Sequence, residues 1–273
     1  MTSHLAIARD PGQIMAVPAG KRPIDRRPLI AYQHLDYLRA FFNNRLAWSN
    51  LGFMLCSVGA FQIWRRDVLE DVGGYSRAFT CEDIELTFRV HERFLREGRD
   101  YEIHCLPDTV GTTEGPDTVR KLISQRERWQ RVIAETVWHY RAMWFNPRYR
   151  TVGLVGAPFY LLTEVLAPAF ELLALISLPL AIALGVFSPT VFVLMCVAIA
   201  FANAALTACA ILLDDLQSRI YRRGDLAWLL LLAPFDLVLY RPFILWARLK
   251  GSWRFLRRDK TWHKFARNVR APA

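Results

Sequence analysis

The chain has 273 residues, a formal net charge of +10, an apolar fraction of 53% and five cysteines. The cysteines form no Cys-x-x-Cys pair, so the sequence predicts neither a disulfide framework nor a zinc site, and a reducing compartment fits. Apolar residues dominate from about residue 153 to residue 246, whereas the earlier chain is mixed and charged. This distribution excludes an ordinary soluble globular protein and predicts a water-soluble part joined to a membrane part.

The excess positive charge lies mainly at the edges of the apolar segments. Arginines occur in the loop 214–225, and lysines and arginines are frequent in the tail 250–273. Positive charge beside apolar spans is typical of the cytoplasmic face of a membrane and of contact with anionic lipid. The charge therefore indicates membrane lipid as a partner and argues against nucleic acid.

Composition divides the chain into four regions. Residues 1–28 are polar and rich in Pro, Gly and Arg, and we expect a flexible N-terminal segment. Residues 29–146 alternate between predicted helices and strands, which indicates an α/β domain, although one too short to be complete. Residues 147–249 are expected to form a membrane region, and residues 250–273 a basic cytoplasmic tail.

The α/β region begins with a predicted helix, a strand and a helical turn. The spacing of apolar residues such as Leu35 predicts an amphipathic helix over residues 29–51. The small apolar residues within 53–63 predict a buried strand. A short helical turn is expected to open near Arg65 and to stop at Gly73, because glycine accepts a positive φ.

Two longer helices follow, separated by a strand. The first is predicted over residues 82–97, and the strand over residues 101–106, where Pro107 ends it. The second helix is predicted to start with Asp117 as its N-cap and to run to about Met143.

The membrane region is predicted to contain two or three spans. Segments 167–187 and 191–213 are long and apolar enough to cross a bilayer. Residues 153–165 contain a proline and a glutamate, which suits an interfacial segment. The segment 226–249 is interrupted by prolines and charges, so it either spans the membrane or forms an interfacial or re-entrant helix. The second arrangement is favoured, because it keeps the basic tail cytoplasmic.

Glu82 and Asp83 stand at the start of a predicted helix. The helix dipole favours negative charge there, and a positioned Asp can accept a proton from a substrate hydroxyl. The pair fits equally well as ordinary acidic residues at a helix N-terminus.

Gln125, Arg128 and Trp129 share one face of the second long helix, at positions i, i+3 and i+4. Together an amide, a guanidinium and an indole can hydrogen-bond a hydroxyl, bind phosphate oxygens and stack on a sugar or base. Alternatively, the helix is simply amphipathic, with Trp129 in the core and Arg128 paired to Glu127 or Glu135.

The order of these motifs, followed by apolar spans, resembles the membrane-embedded family 2 glycosyltransferases. Cellulose, chitin, hyaluronan and poly-N-acetylglucosamine synthases belong to that group. The resemblance covers about residues 30–250 and rests on the Glu-Asp pair and the Gln-x-x-Arg-Trp box. It implies that residues 29–146 are the acceptor-side part of a GT-A-type glycosyltransferase domain, followed by an α-helical membrane region.

The resemblance also implies roles for single residues. Asp83 matches the general base that deprotonates the acceptor hydroxyl, and Glu82 precedes it in the family's Thr-Glu-Asp pattern, where this chain has Cys81 in place of Thr. These two acids are the expected catalytic residues.

The expected substrate contacts come from the box and from one aromatic residue upstream. Gln125, Arg128 and Trp129 match the residues that contact the nucleotide diphosphate and the acceptor sugar. Phe61 matches the strand-end loop beside the acceptor.

The donor side departs from the family pattern. The family implies Mg²⁺ or Mn²⁺ held by an Asp-x-Asp motif upstream of these residues. Before residue 60 the chain has only Asp10, Asp25 and Asp36, and none of them forms that motif. We therefore expect no metal ligands within this chain and poor binding of the donor by the chain alone.

The implied function is inverting transfer of a sugar from a nucleoside diphosphate, usually UDP, to a growing glycan. The alternative is a non-catalytic membrane subunit or truncated remnant, which would need a partner chain carrying the donor half. The implied location is the inner or plasma membrane, crossed several times, with the glycosyltransferase domain cytoplasmic.

Overall fold

The computed structural model describes residues 2–7, 24–57, 59, 61–218, 221–259 and 261. Helices predominate among them. The strands β1 (Thr2–Ile7) and β2 (Cys105–Thr113) pair in parallel as a two-stranded sheet. A sheet of this size does not confirm the α/β architecture that alternating strands and helices predicted. β1 lies within the segment expected to be flexible, and most of the basic tail lies outside the described residues.

The predicted first helix is confirmed, with an irregular middle. Helix α1 (Pro28–Tyr37) continues through a π-helical turn, Leu38–Asn44, into α2 (Arg45–Asn50). Proline suits the start of a helix because its φ is already helical and its missing N–H would have no partner there. The face that carries Leu35 is fully buried.

The strand predicted over residues 53–63 is wrong. Residues 53–57 are buried as expected, but they follow an irregular path, and the ring of His91 meets the carbonyl of Met54 at 2.9 Å. The His91 side chain thus provides the hydrogen-bond partner for this carbonyl that a neighbouring strand would have provided. A short apolar run reports burial but does not by itself distinguish a strand from other buried segments.

Helices α3 (Arg66–Asp71) and α4 (Glu82–Arg96) agree with the predicted helical turn and first long helix. The chain leaves α3 through Gly73 and Gly74, whose φ angles of +81° and +71° suit glycine.

The second long helix, α5 (Val119–His139), is capped by Thr118 rather than Asp117. The Thr118 hydroxyl accepts a hydrogen bond from the Lys121 amide at 3.3 Å, and Asp117 instead forms an ion pair with the Lys121 ammonium. β2 begins four residues later than predicted and continues past Pro107.

The two predicted spans are present as long apolar helices. After short turns at Pro147–Tyr149 and Val152–Gly156, the chain forms α6 (Ala157–Tyr160), a π-helical turn at Leu161–Leu166, and α7 (Ala167–Ala183). Helix α8 (Pro189–Ser218) follows. Val152–Ala183 and Pro189–Leu216 are both long and apolar enough to cross a membrane. The expected interfacial segment is therefore continuous with the first of these helices.

The third apolar segment is broken rather than straight. It contains α9 (Arg223–Leu232), a 3-10 turn at Ala233–Phe235, α10 (Asp236–Leu239) and α11 (Arg241–Leu256). The parts before and after Tyr240 meet at 49°, which fits a broken span or a re-entrant loop. A proline lies on each side of the break, and proline removes a helical hydrogen bond.

Helix α11 joins the membrane region to the rest of the fold by packing along α5. The approach is close at Gly251, where a Cβ atom would lie 2.8 Å from the Cβ of Gln130. One apolar core lies among the segment 53–57, α4, α5 and α6. A second lies among α1, α8, α9 and α11.

Candidate functional site

A cavity of about 560 Å³ lies where α4 and α5 meet the membrane-region helices. Its volume is in the range of roughly 300–1,000 Å³ that is usual for small-molecule sites. The first wall contains Cys56, Ser57, Gly59, Cys81 and Asp83. The opposite wall contains Asn203, Leu206, Arg241, Ile244 and Arg248, and α5 contributes Arg126, Trp129 and Gln130.

Asp83 is held in this cavity by three neutral donors. Its Oδ1 accepts hydrogen bonds from the Cys81 thiol at 2.7 Å and from the Ile84 amide at 2.9 Å. Its Oδ2 accepts one from the Gly59 amide at 2.8 Å. The carboxylate is thereby fixed between the start of α4 and the loop that follows the segment 53–57.

Gly59 is required by this arrangement. A Cβ atom at that position would lie 2.9 Å from the carboxyl carbon of Asp83 and closer still to Oδ2. Only a residue without a side chain lets its amide approach the carboxylate so closely.

Ser57 ties the same loop to α4, and sequence analysis missed it. Its hydroxyl lies 3.2 Å from the Asp83 carbonyl oxygen and 2.7 Å from the Thr87 hydroxyl. It also donates to the Gln62 side chain at 2.8 Å. Its position in a small apolar run was the one signal available in the sequence.

The Cys81 thiol is a donor rather than a nucleophile. Burial raises the pKa of Cys81 well above its usual range, and the neighbouring Asp83 carboxylate raises it further. The thiol is therefore neutral at physiological pH and keeps its proton toward Asp83.

Glu82 and Phe61 lie away from the cavity wall. Glu82 is exposed at the first turn of α4, and Phe61 is half-buried after the loop. Both assignments stay predictions.

Trp129 lines the cavity. The guanidinium of Arg126 lies 4.2 Å from the centre of its ring, and the Tyr37 ring lies 6.0 Å away. Arg126 is buried and forms an ion pair with Asp36 at 2.8 Å. Sequence analysis missed Arg126, because its partner lies ninety residues earlier in the chain.

Gln125 and Arg128 do not line the cavity. Among the described residues, no group donates to the buried Oε1 of Gln125. Arg128 is half-buried, and burial lowers its pKa. The residues of the box thus lie on one helix, but Trp129 is the member that reaches the cavity.

The described residues do not fit the divalent ion that the resemblance implies. Within those ranges, no group of three or more His, Cys, Asp and Glu side chains lies close enough to hold a metal.

A family model described as glycosyl transferase family group 2 matches residues 26–207, which is more than half of the chain. The match includes Asp83, the box on α5, and the helices α7 and most of α8. No curated protein matches the chain.

Proposed function

This chain belongs to glycosyl transferase family group 2, and from that premise we propose that it transfers a sugar from a nucleoside-diphosphate donor to a hydroxyl of a glycan at the membrane. Asp83 is the general base, and the product is formed with inversion. The observation that carries this proposal is the position of Asp83, a carboxylate on a cavity wall with neutral donors as its contacts.

The free acceptor capacity of Asp83 identifies the oxygen that takes the proton. An ionised carboxylate offers about four lone-pair sites, two on each oxygen. Oδ1 already accepts from Cys81 and Ile84, whereas within the described part of the chain Gly59 is the one donor to Oδ2. Oδ2 therefore has room for one more donor, the acceptor hydroxyl.

In the proposed step, the acceptor oxygen attacks the anomeric carbon of the donor sugar. The bond from that oxygen to the carbon forms, and the bond from the carbon to the diphosphate oxygen breaks. The hydroxyl proton moves to Asp83 Oδ2, and the diphosphate leaves with the bonding electrons. A positioned base of this kind contributes about 10²–10⁴-fold to a rate.

Trp129 is the proposed platform for the acceptor. An indole on a cavity wall can stack on the face of a sugar ring, and the Arg126 guanidinium behind it fixes its orientation. Gln125 and Arg128 are proposed to contact the diphosphate. The ligands of a divalent ion are proposed to come from a partner chain.

The proposal is tested by placing Asp83→Asn in the gene of the source cells, so that any partner chain is present in the isolated membranes. Membranes are given radiolabelled UDP-sugars, and incorporation into glycan is measured against a deletion strain. Wild-type incorporation should exceed the deletion background, and Asp83→Asn should reduce it about 10²–10⁴-fold. UDP should bind equally well to membranes from wild-type and from Asp83→Asn cells.

Asp67→Asn is the matched control, because Asp67 is an exposed carboxylate paired to Arg65 outside the cavity. It should leave incorporation unchanged. Turnover of Asp83→Asn close to wild type would remove Asp83 as the base. Wild-type incorporation equal to the deletion background with every donor would reject transfer by this chain and favour a non-catalytic subunit.

A further inference from the structure

The cavity is lined by more positive than negative side chains, and the proposed transfer assigns no role to this excess of positive charge. Five arginines and three carboxylates line the cavity. Two of these arginines have partners that neutralise them or occupy their donors. Arg126 pairs with Asp36 at 2.8 Å, and Arg248 donates to backbone carbonyls of residues 163 and 164 and to the Gln130 side chain.

Arg39 and Arg241 share a single carboxylate. Arg39 contacts Asp236 Oδ2 at 2.9 Å, while Arg241 lies 3.6 Å from the same oxygen. Among the described residues, Arg241 has no closer partner, and Nη2 of Arg39 is buried without a hydrogen bond, 3.8 Å from Asp36 Oδ1. With Arg126 included, the cluster has three guanidinium groups against two carboxylates, Asp36 and Asp236. This leaves a net positive site that an anion would complete.

The position of this site in the membrane region strengthens the argument. Arg241 begins α11, at the break between the two parts of the third apolar segment. On the facing side, Asn203 and Thr207 of α8 accept hydrogen bonds from Arg39. Ionisable residues among membrane helices are costly and generally mark a binding site or pathway.

The cavity also reaches an exposed apolar surface. Leu206 lines the cavity, and 68% of its surface is exposed. Large apolar side chains elsewhere on α8, such as Phe201 and Leu213, are exposed as well. The cavity lined by arginines therefore adjoins, at Leu206, a helix with an exposed apolar surface that a lipid chain can cover.

We propose that this cavity binds the phosphate of a membrane lipid and that this lipid carries the acceptor glycan. The phosphate binds Arg241 and Arg39, the lipid chain leaves beside Leu206, and the sugar reaches Asp83. This inference rests on the proposed function for the role of Asp83. A phosphate acting as the nucleophile would be ionised already and would need no base, so the reacting group is a sugar hydroxyl at the far end of the lipid-linked glycan.

The test measures binding and needs no donor. The full chain in a non-ionic detergent is studied by native mass spectrometry with hexadecyl phosphate, hexadecanol or inorganic phosphate. Hexadecyl phosphate should bind, and each of the other two should bind at least about 10-fold more weakly, because each lacks one half of the ligand. Inorganic phosphate binding as tightly as hexadecyl phosphate would overturn the lipid assignment in favour of a soluble anion.

Two variants separate the two ends of the ligand. Arg241→Gln should weaken hexadecyl phosphate binding about 10–100-fold, as expected for loss of a charge-assisted contact. Arg66→Gln should have no effect, because Arg66 is exposed outside the cavity. Leu206→Ser should weaken this binding several-fold, and the fold should survive because Leu206 is exposed. Unchanged binding by Arg241→Gln or by Leu206→Ser would overturn the proposal.

Asp83→Asn distinguishes this inference from the proposed function. It should bind hexadecyl phosphate like wild type while losing transfer. Failure of hexadecyl phosphate to bind, with transfer still lost in Asp83→Asn, would overturn the lipid site and leave the proposed function standing. Normal binding together with normal transfer by Asp83→Asn would overturn the proposed function and leave the lipid site standing.

Discussion

Two groups of carboxylates at the cavity differ in the partners that bind them. Asp83 is fixed by a thiol and two backbone amides, all of them neutral donors. Asp36 and Asp236, on the membrane side, face arginines at 2.8 Å and 2.9 Å. Burial by itself would raise the pKa of Asp36, but Arg126 and Arg39 more than offset it, so the pKa is lowered.

The difference lies in the charge of the partners. Guanidinium groups pair with Asp36 and Asp236 and tie distant helices together, whereas the donors that fix Asp83, the base we propose, carry no charge. Changes around Asp83 should therefore alter activity, and changes around Asp36 should alter stability.

The largest effect on stability is expected from Arg126→Met. Removing the cation leaves Asp36, whose side chain is 21% exposed, without its closest partner, which costs up to about 3–5 kcal/mol. The variant should unfold at markedly lower temperature in a detergent thermal melt. Replacing both partners, as Asp36→Leu with Arg126→Met, should recover part of the loss.

Arg66→Met is the control for that comparison. Arg66 also pairs with a carboxylate, Glu70, but its side chain is 91% exposed. Its loss should change stability by no more than about 0.5 kcal/mol. An equal drop in melting temperature in Arg126→Met and Arg66→Met would mean that the pair of Arg126 and Asp36 has no special structural role.

Gly59→Ala should damage activity on the Asp83 side. The new methyl group would push the carboxylate away from its position, and a misplacement of about 1 Å can cost about 10²-fold in rate. Incorporation of labelled sugar should fall by that order, with little change in the melting temperature. Gly224→Ala is the control, since its methyl group would meet only the flexible end of Arg26. Full activity in Gly59→Ala would show that the carboxylate position is not critical.

The loop that carries Gly59 depends on a neutral histidine. Burial lowers the pKa of His91 to about 4, and its ring meets the Met54 carbonyl at 2.9 Å. An unfolded His titrates near pH 6.5, so the unfolded chain takes the proton first as the pH falls. This contribution to stability is full above about pH 6.5 and is lost toward pH 4, by about 1.4 kcal/mol per pH unit.

Thermal melts at pH 7, 6 and 5 would measure this slope. His34, whose pKa burial also lowers to about 4, contributes in the same direction. His91→Gln should therefore flatten the slope in part and leave the contribution of His34. If the pH dependence of stability is unchanged in His91→Gln, the lowered pKa of His91 does not contribute to it.

The smallest effect is expected at Cys81. Cys81→Ala removes one neutral donor from Asp83, worth about 0.5–1.5 kcal/mol, or roughly a 2–10-fold loss of transfer. Cys81→Ser keeps a donor and should restore most of the rate. Equal losses in both variants would point to packing rather than to the hydrogen bond.

Local sequence patterns predicted much of the helical framework. Helices are stabilised by contacts between residues close in the chain, so local patterns can predict them. The periodicity of residues 82–97 predicted α4, and the lengths of the apolar segments predicted α7 and α8. The same reasoning failed at residues 53–63, because an apolar run reports burial and not the partner of the backbone. The order of the Glu-Asp pair and the box indicated the family that the family model then matched.

The sequence by itself determined the helices, the apolar segments and the residues that named a chemistry, Asp83 and Trp129. Only the tertiary structure decided that they share a cavity with Arg39 and Arg241, and that Asp236 lies between those two arginines. The physical reason is separation along the chain. Arg39 and Asp236 are 197 residues apart, so no local pattern records their contact, and charge pairing and burial exist only once distant helices have packed together.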